Sequence, residues 1–82
     1  MYLEILTPEK KIFEGEITGV NLPGASGGFE LLNNHAPIIS ALDKGTIRIN
    51  GKDGVKTFDI NSGFVECLNN KVTVLVEGVA SL

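Results

Sequence analysis

The sequence predicts one all-β domain of the sandwich or barrel type. Several short segments either alternate apolar with polar residues or are rich in β-branched residues, which is typical of half-buried strands. Turn-forming residues recur at intervals of about 8 to 12 residues, as they do in sandwiches and barrels. No stretch has the apolar spacing of a helix and no linker or repeat divides the chain, so residues 1–82 are expected to form a single domain.

The segment from Leu22 to Gly45 is predicted to be a shaped loop region between regular strands. It holds the only histidine and two of the three prolines, together with closely spaced glycines. Proline fixes φ and glycine permits positive φ, so the sequence specifies the backbone path here. Function is often carried by loops that a rigid scaffold positions, which makes this region the first candidate for it.

The clearest strand pair follows this loop region. Thr46–Asn50 alternates strictly and places Ile47 and Ile49 on one face, and Val55–Ile60 alternates as well. Between them, Asn50–Gly54 contains two strong turn dipeptides. The three segments together predict a β-hairpin.

Two further strands are predicted near the C-terminus. Phe64–Leu68 is strand-like, and Lys71–Glu77 is β-branched and of strand length. Asn69–Asn70 predicts a two-residue turn between them because asparagine tolerates positive φ. Breaks in the strands are predicted at Asn61–Gly63 and at Glu14–Glu16.

Composition excludes several classes of protein. The net charge is −3 and the pI is about 4.9, whereas a nucleic-acid-binding module normally carries a basic patch. Cys67 is the only cysteine, so no internal disulfide is possible, and we interpret it as a small buried hydrophobic residue. No signal peptide and no apolar stretch of membrane-spanning length is evident, so a reducing, cytosolic setting is expected.

No catalytic or metal site is evident. A phosphate-binding interpretation of Gly24–Gly28 lacks the Gly-Lys-Ser/Thr ending and a helix start. Zinc needs three or four ligands, and the chain has one cysteine and one histidine, His35. Ser26, His35 and Asp43 are a conceivable hydrolase triad, but no nucleophile elbow surrounds the serine. We therefore expect a non-enzymatic protein with no cofactor and no bound metal, in which His35 holds a turn or contacts a partner.

Two charged features leave alternatives open. Glu14 and Glu16 lie on one strand face, and we interpret them as solvated, partnered by Lys10 or Lys11, rather than as a glycosidase pair. Lys52 lies at a predicted hairpin tip, as the modified lysine of biotinyl and lipoyl carrier domains does. Its neighbours match neither of the usual carrier patterns, Met-Lys-Met or Asp-Lys-Ala, so a solvated turn lysine is favoured.

The apolar residues inside the loop region also have two interpretations. Phe29, Leu31 and Leu32 are surrounded by glycine and polar residues. Packing in the core is preferred for them, and an apolar contact with another protein is the alternative.

A series of short motifs follows a recognisable order along nearly the whole chain. A strand ending in Thr7-Pro8 comes first, Leu22-Pro23-Gly24 follows, and His35-Ala36-Pro37 comes next. Gly45–Ile49 and Gly63–Glu66 then provide two later strands. Each motif alone is weak, but their order and spacing resemble the N-terminal β domain of the epsilon subunit of bacterial F-type ATP synthases.

This resemblance implies a fold, a function and a location. The fold is a flattened sandwich or barrel of two five-stranded sheets. The function is that of a non-catalytic central-stalk subunit of a proton- or sodium-driven ATP synthase, which joins the gamma subunit to the ring of c subunits and transmits rotation. No nucleic-acid partner and no direct membrane insertion are expected. The implied location is the bacterial cytoplasm, peripheral on the cytoplasmic face of the plasma membrane.

Two partner surfaces follow when the family's positions are carried onto this chain. The family's ring-facing loop corresponds to the segment Gly24–Asn34, and its gamma contact lies beside that loop and at the first strand's end. The ring-facing candidates are Gly27, Gly28, Phe29, Glu30, Leu31, Asn33 and Asn34. The gamma-contact candidates are Thr7, Pro8, His35, Ala36, Pro37 and Ile38.

The chain departs from the family pattern within the loop. The family usually has Gly-Glu-Phe/Leu-Gly where this chain has Gly28-Phe29-Glu30-Leu31. We therefore expect Glu30 to replace the missing acidic residue in the contact with the ring. Asn33-Asn34 also replace the usual Pro-Gly or Pro-Asn before the histidine, and asparagine tolerates the left-handed conformation.

The larger departure is in length. Most family members continue into two C-terminal helices, which can inhibit ATP hydrolysis and in some members bind ATP. This chain as given has neither, so ATP binding and that mode of inhibition are not expected, and Gly78 favours a naturally short subunit over a truncated one. The weaker alternatives are a carrier domain modified on Lys52, a small oligosaccharide- or nucleic-acid-binding barrel, and a hydrolase that uses Ser26 or His35.

Overall fold

The structure is a computed structural model that describes residues 1–81, and these residues form eight strands joined by short turns. The predicted all-β class is therefore confirmed. No helix with the length and hydrophobicity needed to cross a bilayer occurs among these residues. In chain order the strands are β1 (Tyr2–Leu6), β2 (Lys11–Glu16), β3 (Gly19–Leu22), β4 (Phe29–Leu32), β5 (Ile38–Leu42), β6 (Gly45–Gly51), β7 (Gly54–Leu68) and β8 (Lys71–Ser81).

The strands make two layers because β7 and β8 are long enough to belong to both. The first layer has the order β2, β1, β8, β7, β5 and uses residues 63–68 of β7 and 71–76 of β8. The second has the order β4, β3, β6, β7, β8 and uses the other halves of the two long strands. The predicted pair of five-stranded sheets is thus present as a sandwich, and the strand ladder of the described residues does not close into a barrel.

The two long strands pass between the layers without interruption, so the predicted break at Asn61–Gly63 was wrong. At Gly63 the neighbouring strand β8 comes so close that a side chain would overlap the carbonyl oxygen of Leu75. Glycine permits this close approach, so Gly63 serves the pairing of β7 with β8 and does not form a turn. Gly78 provides the matching bend in β8, where its φ is +73° and a side chain would overlap that of Asn61. The predicted break at Glu14–Glu16 was also wrong, because Gly15 is extended within β2 and pairs with Leu3.

The core lies between the layers and is built from alternate residues of each strand. Ile47 and Ile49 of β6 face inward together, as their alternation predicted. Cys67 is buried among them, and burial raises the pKa of its thiol, so the interpretation as a small hydrophobic residue is confirmed. The fully buried large side chains include Leu3, Ile5, Val20, Leu31, Ile60, Val65, Val72, Val74 and Val76.

The predicted hairpin turns are present. Asn69 and Asn70 both adopt left-handed backbone conformations, with φ of 52° and 62°, and join β7 to β8 in two residues. The loop between β6 and β7 closes with Gly51 paired to Gly54 and leaves Lys52 and Asp53 at its exposed tip.

Candidate functional site

The predicted ring-facing segment is a turn, a strand and a second turn rather than one loop. In the first turn the amide of Gly27 donates to the carbonyl of Gly24 at 3.0 Å. This turn is tied to the end of β5 because the amide of Ala25 donates to the carbonyl of Ala41 at 3.0 Å. Strand β4 follows, and Asn33-Asn34 form the second turn at its far end. The candidates Gly27 and Gly28 therefore lie at the opposite end of β4 from Asn33 and Asn34.

Strand β4 divides its own residues between the core and the surface. Leu31 is fully buried, so its side chain packs in the core, as the preferred interpretation of this residue predicts. Phe29 is half-buried and packs its ring against Gly24. Glu30 and Leu32 point outward on the second layer, and Leu32 is 53% exposed.

The second turn is held by asparagine side chains. The amide of Asn34 donates to Oδ1 of Asn70 at 2.7 Å, and Nδ2 of Asn70 donates to Oδ1 of Asn33 at 2.9 Å. The Met1 amine donates to the same Asn33 oxygen at 3.1 Å. His35 follows, exposed, and its own amide closes the turn by donating to the carbonyl of Leu32 at 3.1 Å.

The gamma-contact candidates fall at two ends of the first layer. Thr7 and Pro8 follow β1, whose last residue, Leu6, pairs with Leu75. His35, Ala36 and Pro37 are exposed at the opposite end, where β5 begins. Ile38 packs its side chain on the core, and the next residue, Ile39, points outward instead. The structure therefore places the Thr7-Pro8 corner a strand length away from the histidine element.

The outer face of the first layer carries an apolar surface that joins these two ends. Ile39, Phe64 and Leu75 are 74%, 58% and 52% exposed, and Phe64 and Leu75 are direct cross-strand partners. They line one depression of about 260 Å³. A second depression of about 260 Å³ continues from Phe64 and Leu75 to Thr7 and Pro8. We call Ile39, Phe64, Leu75 and Pro8 the apolar face.

Sequence reasoning missed the apolar face, although a signal for it exists. The run Phe64–Leu68 was interpreted only as a strand. Its inward residues, Val65 and Cys67, are apolar, and so are two of its three outward residues, Phe64 and Leu68, with Glu66 between them. Large apolar residues at outward positions of a strand are the sequence signal for an exposed apolar patch.

The outer face of the second layer differs in chemistry. Glu30, Asn21, Arg48 and Thr57 form a polar row across four strands. Next to this row the hydroxyl of Thr46 donates to Asp59 at 2.7 Å. The exposed apolar residues on this side, Val55 and Leu32, lie apart from that row, toward the strand ends. The outer face of the second layer is therefore mainly polar, whereas the outer face of the first layer includes the apolar face.

A charged network borders the apolar face on the first layer. Nζ of Lys11 lies 2.9 Å from Glu4 and 3.1 Å from Glu14, and Lys71 lies 3.0 Å from Glu4. Hydrogen bonds from Lys11 and then Lys71 lower the pKa of Glu4. Hydrogen bonds from Tyr2 and then Lys11 lower the pKa of Glu14. The expectation that Lys10 or Lys11 partners the carboxylates is confirmed for Lys11 and Glu14.

The described residues do not assemble a catalytic or metal centre. Ser26 and His35 lie at opposite ends of β4, so the conceivable triad is not formed. Nδ1 of His35 instead lies 2.7 Å from the carbonyl oxygen of Ala36. Within residues 1–81 no group of three or more His, Cys, Asp or Glu side chains is placed to hold a metal ion. Lys52 is an exposed lysine at its hairpin tip.

Comparison with known proteins gives one consistent answer. Residues 1–81 match the family model described as ATP synthase, Delta/Epsilon chain, beta-sandwich domain. The chain is 40% identical over 79 residues to an ATP synthase epsilon chain of Chlorobium limicola, covering 95% of this chain and 90% of that relative. It is 41% identical over 81 residues to the epsilon chain of Protochlamydia amoebophila, covering 98% of this chain but only 55% of that relative.

Solved structures share the fold at low sequence identity. A chain in the cryo-EM structure of the Tetrahymena thermophila mitochondrial ATP synthase central stalk and c-ring superposes with a TM-score of 0.80 at 17% identity. The match covers 98% of this chain and 65% of that one. With a family model that spans nearly every residue, these likenesses lead to one conclusion. The chain belongs to the family of ATP synthase delta and epsilon chains, and it corresponds to their beta-sandwich domain.

Proposed function

We propose that this chain is the non-catalytic central-stalk subunit of a rotary ATP synthase that joins the gamma subunit to the ring of c subunits. The observation that carries the proposal is the match of residues 1–81 to the family's beta-sandwich domain. The Tetrahymena assembly whose chain shares this fold is a central stalk with its c-ring, which agrees with this role. The chain would work at the peripheral, cytoplasmic side of the membrane, held by protein contacts.

The gamma subunit would bind the apolar face of the first layer. Isolated sheets seldom leave residues as large as Phe64 and Leu75 side by side in water, because burial of their apolar surface lowers the free energy. This face also joins the Thr7-Pro8 corner to the start of β5, so both groups of gamma-contact candidates fit one interface. A rotor joint requires such a rigid sheet, because a compliant contact would lose torque.

The ring of c subunits would contact the turn at the other end of β4 from His35. Gly27 and Gly28 are exposed there, and the turn is fixed by hydrogen bonds to the end of β5. Glu30 projects beside it from the outer face of the second layer, available for polar groups of the ring. Asn33 and Asn34 lie at the histidine end and are assigned to the gamma side.

Calorimetric titration of this chain into gamma subunit from the same source tests the proposed function. Leu75→Ala removes part of the apolar face, and Val55→Ala is the matched control. Both residues are aliphatic strand residues of similar exposure, 52% and 55%, but they lie on opposite layers. We expect tight binding that Leu75→Ala weakens and Val55→Ala does not. Absence of binding by the unmodified chain would refute the proposal.

The ring contact has its own test. Glu30→Gln removes the charge without changing the shape of the side chain. We expect weaker binding to purified c-ring at low salt and a smaller difference at high salt, because screening reduces an exposed ionic contact. Unchanged binding at low salt would show that Glu30 does not replace the family's acidic residue.

A further inference from the structure

The connection that presents His35 is held by few contacts, among them the His35 amide to the Leu32 carbonyl and the Met1 amine to Asn33. Residues 33–37 lie between β4 and β5, are exposed, and take no part in strand pairing. Asn34 adopts a left-handed conformation with φ 63°.

One side chain from another turn contacts both residues of the Asn33-Asn34 turn. Asn70, in the turn between β7 and β8, accepts a hydrogen bond from the Asn34 amide at 2.7 Å and donates one to Asn33 at 2.9 Å. Its backbone is fixed independently, because its carbonyl accepts from the amide of Tyr2 at 3.1 Å. Asn70 therefore ties the exposed connection to the turn between β7 and β8 and, through it, to the start of β1.

We propose that Asn70 is a positioning residue for the gamma contact, because its amide side chain orders the Asn33-Asn34 turn and so fixes the direction in which His35 is presented. This inference rests on the proposed function for the contact itself. Asn70 does not need to touch the gamma subunit. Its effect on binding passes through His35, and that dependence separates it from a contact residue.

The ordering is tested first without any partner, by amide hydrogen exchange in the free chain. Asn70→Gly keeps the positive φ of the turn and deletes both side-chain hydrogen bonds. Asn69→Gly is the matched control in the same turn, and Asn70→Asp retains the acceptor for the Asn34 amide. We expect exchange at Asn34 to accelerate about three- to tenfold in Asn70→Gly and to stay near the original rate in the other two. Unchanged exchange in Asn70→Gly would overturn the inference.

The link to binding is tested by a double-mutant cycle with gamma subunit. We expect Asn70→Gly to weaken binding about three- to tenfold in the original chain and to have no further effect when His35→Ala is already present. Additive losses would overturn the inference, because Asn70 would then act independently of His35. If Asn70→Gly left gamma binding unchanged while His35→Ala weakened it, the role of Asn70 would be overturned but the proposed function would stand. Absence of gamma binding by the unmodified chain would overturn the proposed function and the role of Asn70 with it.

Discussion

The replacement Phe64→Ala should weaken binding to the gamma subunit by about 30-fold. Phe64 leaves 58% of its surface exposed at the centre of the apolar face. A phenylalanine buries about 200 Å² in full, so about 120 Å² is available to a partner, worth about 3 kcal/mol at about 25 cal/mol per Å². Alanine retains part of this contact, which leaves a loss of about 2 kcal/mol, or about 30-fold in the dissociation constant.

Calorimetry of the purified chain with gamma subunit measures this loss, and urea unfolding of the free chain controls for folding. Phe64 is more than half exposed, and its cross-strand partners in the free chain are Leu75 and Ala41, so we expect the unfolding free energy of the Phe64→Ala variant to fall by less than about 1 kcal/mol. Val55→Ala, on the other layer, should change affinity by less than about twofold. An affinity within twofold of the original for Phe64→Ala would refute the assignment of the apolar face to gamma.

Three predictions concern the fold and are measured by urea unfolding. Leu31→Ala should lower the free energy of unfolding by about 2 to 5 kcal/mol because Leu31 is fully buried. Leu32→Ala, at the exposed neighbouring residue, should lower it by less than about 1 kcal/mol. Equal losses would contradict the placement of Leu31 in the core. Gly63→Ala should cost about 1 to 3 kcal/mol because the new Cβ would overlap the Leu75 carbonyl, whereas Gly28→Ala, with its nearest atom at 3.6 Å, should cost less. Glu4 has a lowered pKa in the folded chain, so its contribution to stability is complete above its ordinary pKa of 4.5 and is lost as pH falls through the lower folded value. Glu4→Gln should therefore reduce the loss of unfolding free energy at acid pH. An unchanged pH profile of stability would contradict the role of the Lys11 and Lys71 contacts.

Local patterns predicted much of the fold because they depend on neighbouring residues. The alternation in Thr46–Asn50 predicted which residues of β6 are buried, and the Asn69–Asn70 dipeptide predicted its turn. The failures have a common cause. Asn61–Gly63 and Glu14–Glu16 contain residues typical of turns, but pairing with adjacent strands holds both segments extended, and single-segment patterns do not contain that information.

The candidate site was only partly predictable for the same reason. The resemblance predicted the family, and the match over residues 1–81 confirms it. It treated Gly24–Asn34 as one loop, although pairing with β3 makes its middle a strand and buries Leu31. The outward Phe64 and Leu68 are a sequence signal for the apolar face, but its extent and the Asn70 contact join residues distant in sequence and depend on the register of β5, β7 and β8.

Site-specific cross-linking in the assembled ATP synthase tests the central claim most directly. Cys67 is buried and its thiol has a raised pKa, so a photoreactive maleimide would label an introduced surface cysteine selectively. Ile39→Cys places the probe on the apolar face, and Val55→Cys places it on the opposite layer. We predict a cross-link to the gamma subunit from position 39 and none from position 55. Cross-linking to gamma from position 55 alone would contradict the account.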